Sequence, residues 1–200
     1  MTIKEAIDLV NDYRPSLYTE KDKVKWLSHL DQAIFNEVIL THRFDAKYMM
    51  FKVSADVTAD DEVSLEGKAL PDDILKGTWF RIGSPLSTNR TPVYITGNVG
   101  NTINLSENIT CSAGDVVYPI AQDGYIGISN ELFGSIPLLV PAPYDEDVYI
   151  NYLESRIDKE NAEIAKYNVD VTLYREGYSA FTDWHNRTNK PFRKVPCLKL

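Results

Sequence analysis

The feature that most constrains the fold is a tyrosine-rich stretch near the end of the chain, residues 138–188, which opens as LLVPAPYDEDVYINYLESRID. Prolines precede Asp145, a good helix cap, and two further acids follow it at the positive end of the helix dipole. Over residues 157–185, apolar or neutral positions recur at alternating spacings of three and four, interrupted at Glu160. The pattern predicts one amphipathic helix of about 40 residues, roughly 60 Å long.

Gly177 is the weak point of this predicted helix, because glycine costs about 1 kcal/mol relative to alanine in a helix interior. Two helices that meet at Gly177 are the alternative. A helix of this length cannot bury its apolar stripe within a chain of 200 residues. The stripe must therefore contact other helices of the chain or another subunit.

Two shorter helices are predicted at the start of the chain. Thr2 and Glu5 have the spacing of a capping box, and apolar residues follow at helical spacing. Thr19 or Asp22 is the predicted cap of a second helix, over about residues 20–42. Its apolar face is wide, which indicates contact with more than one neighbour.

The middle of the chain, residues 44–135, changes to short runs of Val, Ile, Thr and aromatic residues separated by Gly, Asn, Asp and Pro. Such runs predict a small β-sandwich or barrel. The glycine–asparagine pairs at 97–98 and 100–101 tolerate positive φ, so residues 92–95 and 102–105 are predicted to pair as a hairpin.

The predicted fold class is therefore α+β. Residues 1–43 and 136–188 form a helical bundle that contains the long C-terminal helix, and residues 44–135 form an inserted β subdomain. The basic, proline-interrupted residues 189–200 form an extended C-terminal tail that does not continue the helix.

Composition excludes several classes of function. The formal net charge of −8 argues against nucleic-acid binding through the overall field of the protein, which needs clustered Lys and Arg. No stretch approaches the roughly 18–20 apolar residues of a membrane span. Cys111 and Cys197 have no metal-like spacing and are expected to be free thiols.

Catalytic chemistry has little support in the sequence. The three histidines, His29, His42 and His185, belong to no metal or catalytic motif. The acidic run 56–62 lacks the alternation of a calcium loop and is interpreted as a solvated turn. We expect no catalytic residue, metal site or cofactor, and hence a protein that is not an enzyme.

The tyrosines are the more informative set. The chain has 12 of them, and tyrosine combines a large apolar ring with a hydroxyl that needs a partner, which suits subunit interfaces. Packing inside the chain's own bundle is the alternative. The predicted interface residues are Tyr149, Tyr152, Tyr167, Tyr174 and Tyr178.

Three segments carry a family resemblance: AIDLVNDYRPSLYTEKDKVKWLSHLDQAIFNEVI, LLVPAPYDEDVYINYLESRID and YREGYSAFTDWHNRT. They resemble the head-tail connector proteins of tailed bacteriophages, also called adaptor, head-completion or tail gatekeeper proteins. The resemblance covers both helical ends, about half the chain. Shorter relatives lack most of the middle, so it says little about residues 44–135.

The resemblance implies a structural virion protein of the neck, at the head-tail interface, assembled in the host cytoplasm. Its copies would form a homo-oligomeric ring, commonly a dodecamer, under the portal protein. The ring would extend the channel through which DNA passes without sequence-specific binding, and would offer a platform to tail or tail-nozzle proteins. The acidic composition of the chain suits a channel wall, since like charges do not stick.

The basic tail fits docking to the portal in this picture, and a disordered terminus is the alternative. Apolar anchors would combine with cations that meet an acidic portal surface. The predicted docking residues are Phe192, Arg193, Lys194, Val195, Leu198, Lys199 and Leu200.

The rival hypothesis is a β-rich module that binds a ligand or carbohydrate, as a monomer or dimer, with the helices as a stalk. Its candidate contacts are Trp79, Phe80, Tyr94 and Tyr118. Packing in the core of the β subdomain is the competing explanation for these aromatic residues.

Overall fold

The computed structural model describes residues 1–42, 45–87 and 90–190. The chain divides into two compact units, Met1–Phe44 with Pro137–Leu200 and Asp45–Ile136. The first, the helical unit, contains four of the five α-helices, and the second, the sheet unit, contains a six-stranded sheet. The mixed α+β class is confirmed. The helices are α1 (Ile3–Tyr13), α2 (Glu20–Glu37), α3 (Ile120–Asp123), α4 (Asp145–Glu160) and α5 (Ile164–Thr188).

Both N-terminal helices begin where their caps predict. The Thr2 hydroxyl accepts the Glu5 N–H at 3.3 Å, and the Glu5 carboxylate accepts the Thr2 N–H at 2.7 Å. Thr19 forms the same reciprocal box for α2. This helix ends earlier than the predicted residue 42, and a short 3₁₀ turn follows it. There the Thr41 hydroxyl donates to the Val38 carbonyl at 2.8 Å, a local bond that competes with helix continuation.

The prediction of a single C-terminal helix of about 40 residues is wrong. The segment is two helices, α4 and α5, and three residues after Glu160 separate them. Ala162 has a φ of 58°, in the left-handed region, which reverses the chain. The alternative break at Gly177 is also wrong, because Gly177 lies inside α5.

The two helices pack against each other as an antiparallel hairpin. Gly177 approaches Asp147, and the rings of Tyr152 and Tyr174 lie 5.4 Å apart. Higher residue numbers in α4 therefore face lower residue numbers in α5. Close packing explains the glycine. A Cβ at position 177 would lie 2.7 Å from the Asp147 Cβ, too near for any side chain there without a shift of the helices.

A buried polar network joins α2, the connector before α4, and α4 itself. The Tyr149 hydroxyl donates to the Asp31 carboxylate at 2.5 Å and accepts the Val140 N–H at 2.9 Å. The Leu139 N–H donates to the second Asp31 oxygen at 3.2 Å. Asp31 and Tyr149 are both fully buried, and these bonds offset the cost of removing them from water.

The sheet unit contains one curled antiparallel sheet, a half-barrel, where a small sandwich or barrel was predicted. Its strand order is β1-β6-β3-β4-β5-β2. Long-range pairing of this kind has no local signature in the sequence. The strands are β1 (Phe51–Lys52), β2 (Val57–Ser64), β3 (Thr78–Gly83), β4 (Thr91–Val99), β5 (Thr102–Cys111) and β6 (Val116–Pro119).

The predicted hairpin is confirmed as β4 and β5, with longer strands than expected. Val99 pairs with Thr102, and Gly100 in the turn has a φ of 53°. The other glycine–asparagine pair lies inside β4. There the buried Asn98 accepts the Leu75 N–H at 3.0 Å, so it organises a neighbouring loop instead of a turn.

The close approach of α5 to α4 predicts that Gly177→Ala lowers the free energy of unfolding. The new Cβ would also lie 3.0 Å from the Asp147 carbonyl carbon. We expect a loss of about 1–3 kcal/mol from overpacking, larger than the ~1 kcal/mol gained in helix propensity. Urea unfolding measures the difference. Ser179→Ala, at an exposed position of the same helix, is the control and should change stability by less than about 0.5 kcal/mol. A more stable Gly177→Ala protein would contradict the packing.

The buried network predicts that Tyr149→Phe destabilises the helical unit. The variant removes one hydrogen bond from the buried Val140 N–H and one from an oxygen of Asp31, which costs about 1–3 kcal/mol. Thermal or urea unfolding of the variant measures this loss. Tyr167→Phe removes a hydroxyl from a half-buried ring and should be nearly neutral. Equal losses of stability in the two variants would contradict a stabilising role of the Tyr149 hydrogen bonds.

Candidate subunit interface

The tyrosines predicted to contact other subunits pack mainly within the helical unit. The Tyr174 ring lies 5.4 Å from Tyr152 and 5.8 Å from Tyr178, and all three side chains are half-buried. Burial raises the pKa of the Tyr174 and Tyr178 hydroxyls. Tyr167 is also half-buried, about two turns before Tyr174 on α5. The alternative of packing in the chain's own helices therefore accounts for most of their surface.

Tyr149 is a clear correction. Its side chain has no exposed surface, and its hydroxyl is used by Asp31 and the Val140 N–H. A side chain without surface cannot contact another subunit. The prediction of Tyr149 as an interface residue is wrong, because the ring that looked like interface surface is part of the core.

The aromatic contacts continue along α5 to its end. Phe181 is buried, 6.5 Å from the Tyr178 ring and 6.0 Å from the His185 ring. His185 meets the His42 ring edge-on at 5.2 Å. Burial, with His42 nearby, lowers the pKa of His185. This row of rings anchors the second half of α5.

The first half of α5 is different. Of its residues 164–176 only Asp170 is buried. Ile164, Val169 and Leu173 are 61%, 58% and 44% exposed. Val169 and Leu173 are four residues apart and so lie on one side of the helix, roughly 60–100° around the axis from Asp170. This half of α5 thus presents apolar side chains that the described residues of its unit leave largely exposed.

Two more exposed apolar residues belong to the same end of the unit. Tyr13 ends α1, and Leu17 follows in the loop to α2. The loop contacts the α4–α5 turn, because the Tyr18 hydroxyl donates to the Asn161 side chain at 3.3 Å. We call this surface the turn-end patch. It comprises Tyr13, Leu17, Ile164, Val169 and Leu173, every large exposed apolar side chain of the helical unit within the described residues.

Leu17 is completely exposed, yet its loop is held on both sides. Before it, Arg14 forms ion pairs with the α4–α5 hairpin. After it, the Tyr18 ring contacts Trp26 at 5.3 Å, and Thr19 caps α2. A fixed loop that exposes a leucine loses little conformational entropy when a partner covers that leucine.

A cluster of charges lies beneath the loop. Arg14 Nη1 donates to one oxygen of Asp158 and, at 2.6 Å, to one oxygen of Asp170. Both carboxylates are buried, and the second Asp158 oxygen has no hydrogen-bond partner among the described residues. Glu154 is close enough to interact with all three, and burial raises its pKa. Two buried carboxylates therefore share one guanidinium, and a third carboxyl group lies near them.

Other kinds of site have less support. In the described part of the chain no group of three or more His, Cys, Asp or Glu side chains could hold a metal ion. His29 is exposed on α2. None of the described helices is long and apolar enough to cross a membrane. The predicted docking residues Phe192, Arg193, Lys194, Val195, Leu198, Lys199 and Leu200 lie outside the described residues.

One of the four aromatic residues of the rival binding module is buried in the sheet core, and the other three are half-buried. Phe80 is fully buried in the core of the sheet, so its prediction as a ligand contact is wrong. Trp79 and Tyr94 pack against each other with their planes tilted by 54°. Tyr118 lies under the Arg90 guanidinium, 4.7 Å away.

The sequence contained one usable signal for the turn-end patch. Val169 and Leu173 have helical spacing but fall between the positions of the tyrosine seam, which indicates a second apolar stripe. Leu17 carried no such signal, since a single apolar loop residue is common. The pairing of Arg14 with Asp158 and Asp170 depends on contacts over more than 140 residues of sequence, which spacing does not predict.

The charge cluster predicts a dependence of stability on pH. Burial raises the pKa of the Asp158 carboxyl, and Asp170 adds to the effect. Because the folded-state pKa exceeds the unfolded one, the protonated carboxyl stabilises the fold below its unfolded pKa, and this contribution is lost as pH rises through the raised value. We therefore expect the free energy of unfolding of Asp158→Asn, taken relative to the wild type, to be higher at about pH 7 than at about pH 4.

Urea unfolding at both pH values gives the comparison. Only the pH-dependent part is diagnostic, because the substitution also changes hydrogen bonding and packing in ways that do not depend on the ionisation of Asp158. Asp12→Asn, at an exposed position of α1, removes the same charge as a control and should not reproduce the trend. If the difference in stability between Asp158→Asn and the wild type does not vary with pH, the raised pKa of Asp158 is ruled out.

Known proteins do not identify this surface. The sequence matches no protein-family model and no curated protein. No solved structure matches the chain either.

Proposed function

We propose that the protein is a structural subunit of a ring, a head-tail connector of a tailed bacteriophage. The turn-end patch is the observation that supports this most. Apolar surface that a unit concentrates at one end is typical of protein–protein contact, whereas scattered exposed residues are not. In the proposal, the helices of both chain ends act as one bundle that carries the contacts between subunits.

Ring formation needs two different surfaces on each subunit, because a closed ring larger than a dimer is built from head-to-tail contacts. The first half of α5 with Leu17 supplies one candidate surface. The half-buried tyrosines on the other side of the same helix, Tyr174 and Tyr178, remain candidates for part of the second. Their remaining exposed surface is small, so they would contribute the edge of a contact.

The partners in this proposal are those that the family resemblance implies. A portal protein lies above the ring and tail or tail-nozzle proteins lie below it, in the neck of the virion. The net charge of −8 supports a role beside DNA without adhesion to it. The sheet unit, for which the resemblance gives no role, presents an acidic edge strand, β2, whose residues 58–62 are all exposed.

The proposal predicts that Val169→Asp with Leu173→Asp blocks ring assembly and leaves the fold intact. Both side chains are exposed, so the subunit itself should lose less than about 1 kcal/mol, whereas buried aspartates at an interface are costly. Co-expression with the portal protein of the same phage, followed by mass measurement and electron microscopy, shows whether rings form. Circular dichroism and urea unfolding check the fold.

Ser179→Asp is the matched control. It adds a negative charge at an exposed position in the second half of α5, ten residues after Val169 and outside the turn-end patch, and should assemble as the wild type does. Two results would count against the proposal. One is a wild-type protein that stays monomeric with portal present, and the other is a ring that tolerates both aspartates.

A further inference from the structure

Two imidazole rings meet where the end of α5 packs against the 3₁₀ turn that follows α2. The His42 and His185 rings are nearly perpendicular, and their centroids lie 5.2 Å apart. His185 is 7% exposed, and its Nδ1 is buried without a hydrogen-bond partner among the described residues. Burial penalises the charged form of an imidazole. The contact is therefore most stable when His185 is neutral.

Local contacts fix the position of the His42 ring. Its Nδ1 lies 2.9 Å from the Thr41 hydroxyl and 3.3 Å from the Val38 carbonyl oxygen. The same hydroxyl donates to the Val38 carbonyl, so the ring is tied to the turn at two points. These contacts hold the half-buried imidazole of His42 against α5.

Within the described residues, aromatic contacts attach the last two turns of α5 to the rest of the helical unit. Phe181 is buried, and the Trp184 ring lies 5.7 Å from the Tyr144 ring. The contact of His185 with His42 is the one nearest the helix end. Among these rings, only the imidazoles change charge between about pH 5 and about pH 8. The attachment of the helix end thus contains one element that responds to pH.

In the described part of the chain, the charged side chains of the surrounding elements leave the pair without a counter-ion. Asp145, at the start of α4, is paired with the Met1 amino group at 3.0 Å. Glu37, which ends α2, interacts with Tyr174 and Tyr178, earlier in α5. Neither imidazole forms an ion pair with these acids or with the other described charged residues nearest this end of the unit, which are Asp147, Asp183 and Arg187.

We propose that His42 and His185 form a pH-sensitive latch, which is closed when both rings are neutral and opens in acid. Each ring then takes up a proton, and two cations without a counter-ion repel each other across the contact. Opening frees the last two turns of α5, which lead into residues 189–200. The latch is a property of one subunit and does not rest on the proposed ring.

The direction of the pH effect follows from the environment of His185. Burial, with the charge of His42, lowers its pKa in the folded protein, whereas an unfolded histidine takes up its proton near pH 6.5. The neutral pair therefore contributes fully above about pH 6.5, and its contribution is lost as the pH falls through the folded-state value. The C-terminal end of α5 favours a cation, but the Asn189 N–H and side-chain amide donate to the His185 carbonyl at 2.8 and 3.1 Å and weaken that attraction.

Amide hydrogen exchange, followed by NMR at about pH 7.5 and about pH 5 and corrected for intrinsic exchange rates, measures the opening. In the wild type, protection of amides 181–188 should fall by about tenfold relative to the amides of α4. His185→Phe keeps an aromatic ring that cannot be charged, so its protection should stay nearly constant. His29→Gln removes an exposed imidazole of α2 as a control and should behave as the wild type does. Constant protection in the wild type, or an equal fall in His185→Phe, would overturn the latch.

A second measurement separates the latch from a contact with no response to pH. The ¹H–¹³C NMR signals of the His185 ring, assigned by their absence from the His185→Phe spectrum, report its pKa directly. We expect a pKa below the ordinary histidine value in the wild type, and a higher one in His42→Gln, where no second cation forms beside the ring. A wild-type pKa at or above about 6.5 would refute the latch. An identical pKa in His42→Gln would refute the repulsion that opens it.

Discussion

The ion pairs of Arg14 hold the start of the loop that carries Leu17 against the α4–α5 hairpin. One guanidinium joins the end of α1 to Asp158 on α4 and Asp170 on α5. Removing it would leave two buried carboxylates without their cation, a change that typically costs about 3–5 kcal/mol. The loop that carries Leu17 would then lose its anchor on the hairpin. A stabilising interaction in the interior thus fixes the geometry of an exposed contact surface.

Local chemistry explains what the sequence predicted well. The capping boxes of Thr2 and Thr19 satisfy backbone N–H groups within three residues, and the β4–β5 turn needs only Gly100 and its neighbour. The order of the six strands and the curl of the sheet depend on contacts between distant segments, so no spacing rule reaches them. The buried pairing of Asp31 with Tyr149 over 118 residues is of the same kind.

The break between α4 and α5 shows how tertiary contacts override a helical pattern. The heptad-like spacing of residues 157–185 is compatible with one continuous helix and with a helical hairpin. Either arrangement buries one side of each helical segment. Ala162 in the left-handed region costs roughly 1–2 kcal/mol. Packing of Gly177 against Asp147 and of Tyr152 against Tyr174 offsets that cost. Glu160, which interrupts the predicted seam, is the last residue of α4.

The two halves of α5 have different roles because of this hairpin. The second half is held by Phe181 and its neighbouring rings, and it supplies the nucleus that a helix needs. From that nucleus the exposed first half propagates at little further cost, although it buries only Asp170. Val169 and Leu173 are therefore ordered before any partner arrives. A partner that binds them orders few additional residues, so most of the free energy from covering the apolar surface remains available for association.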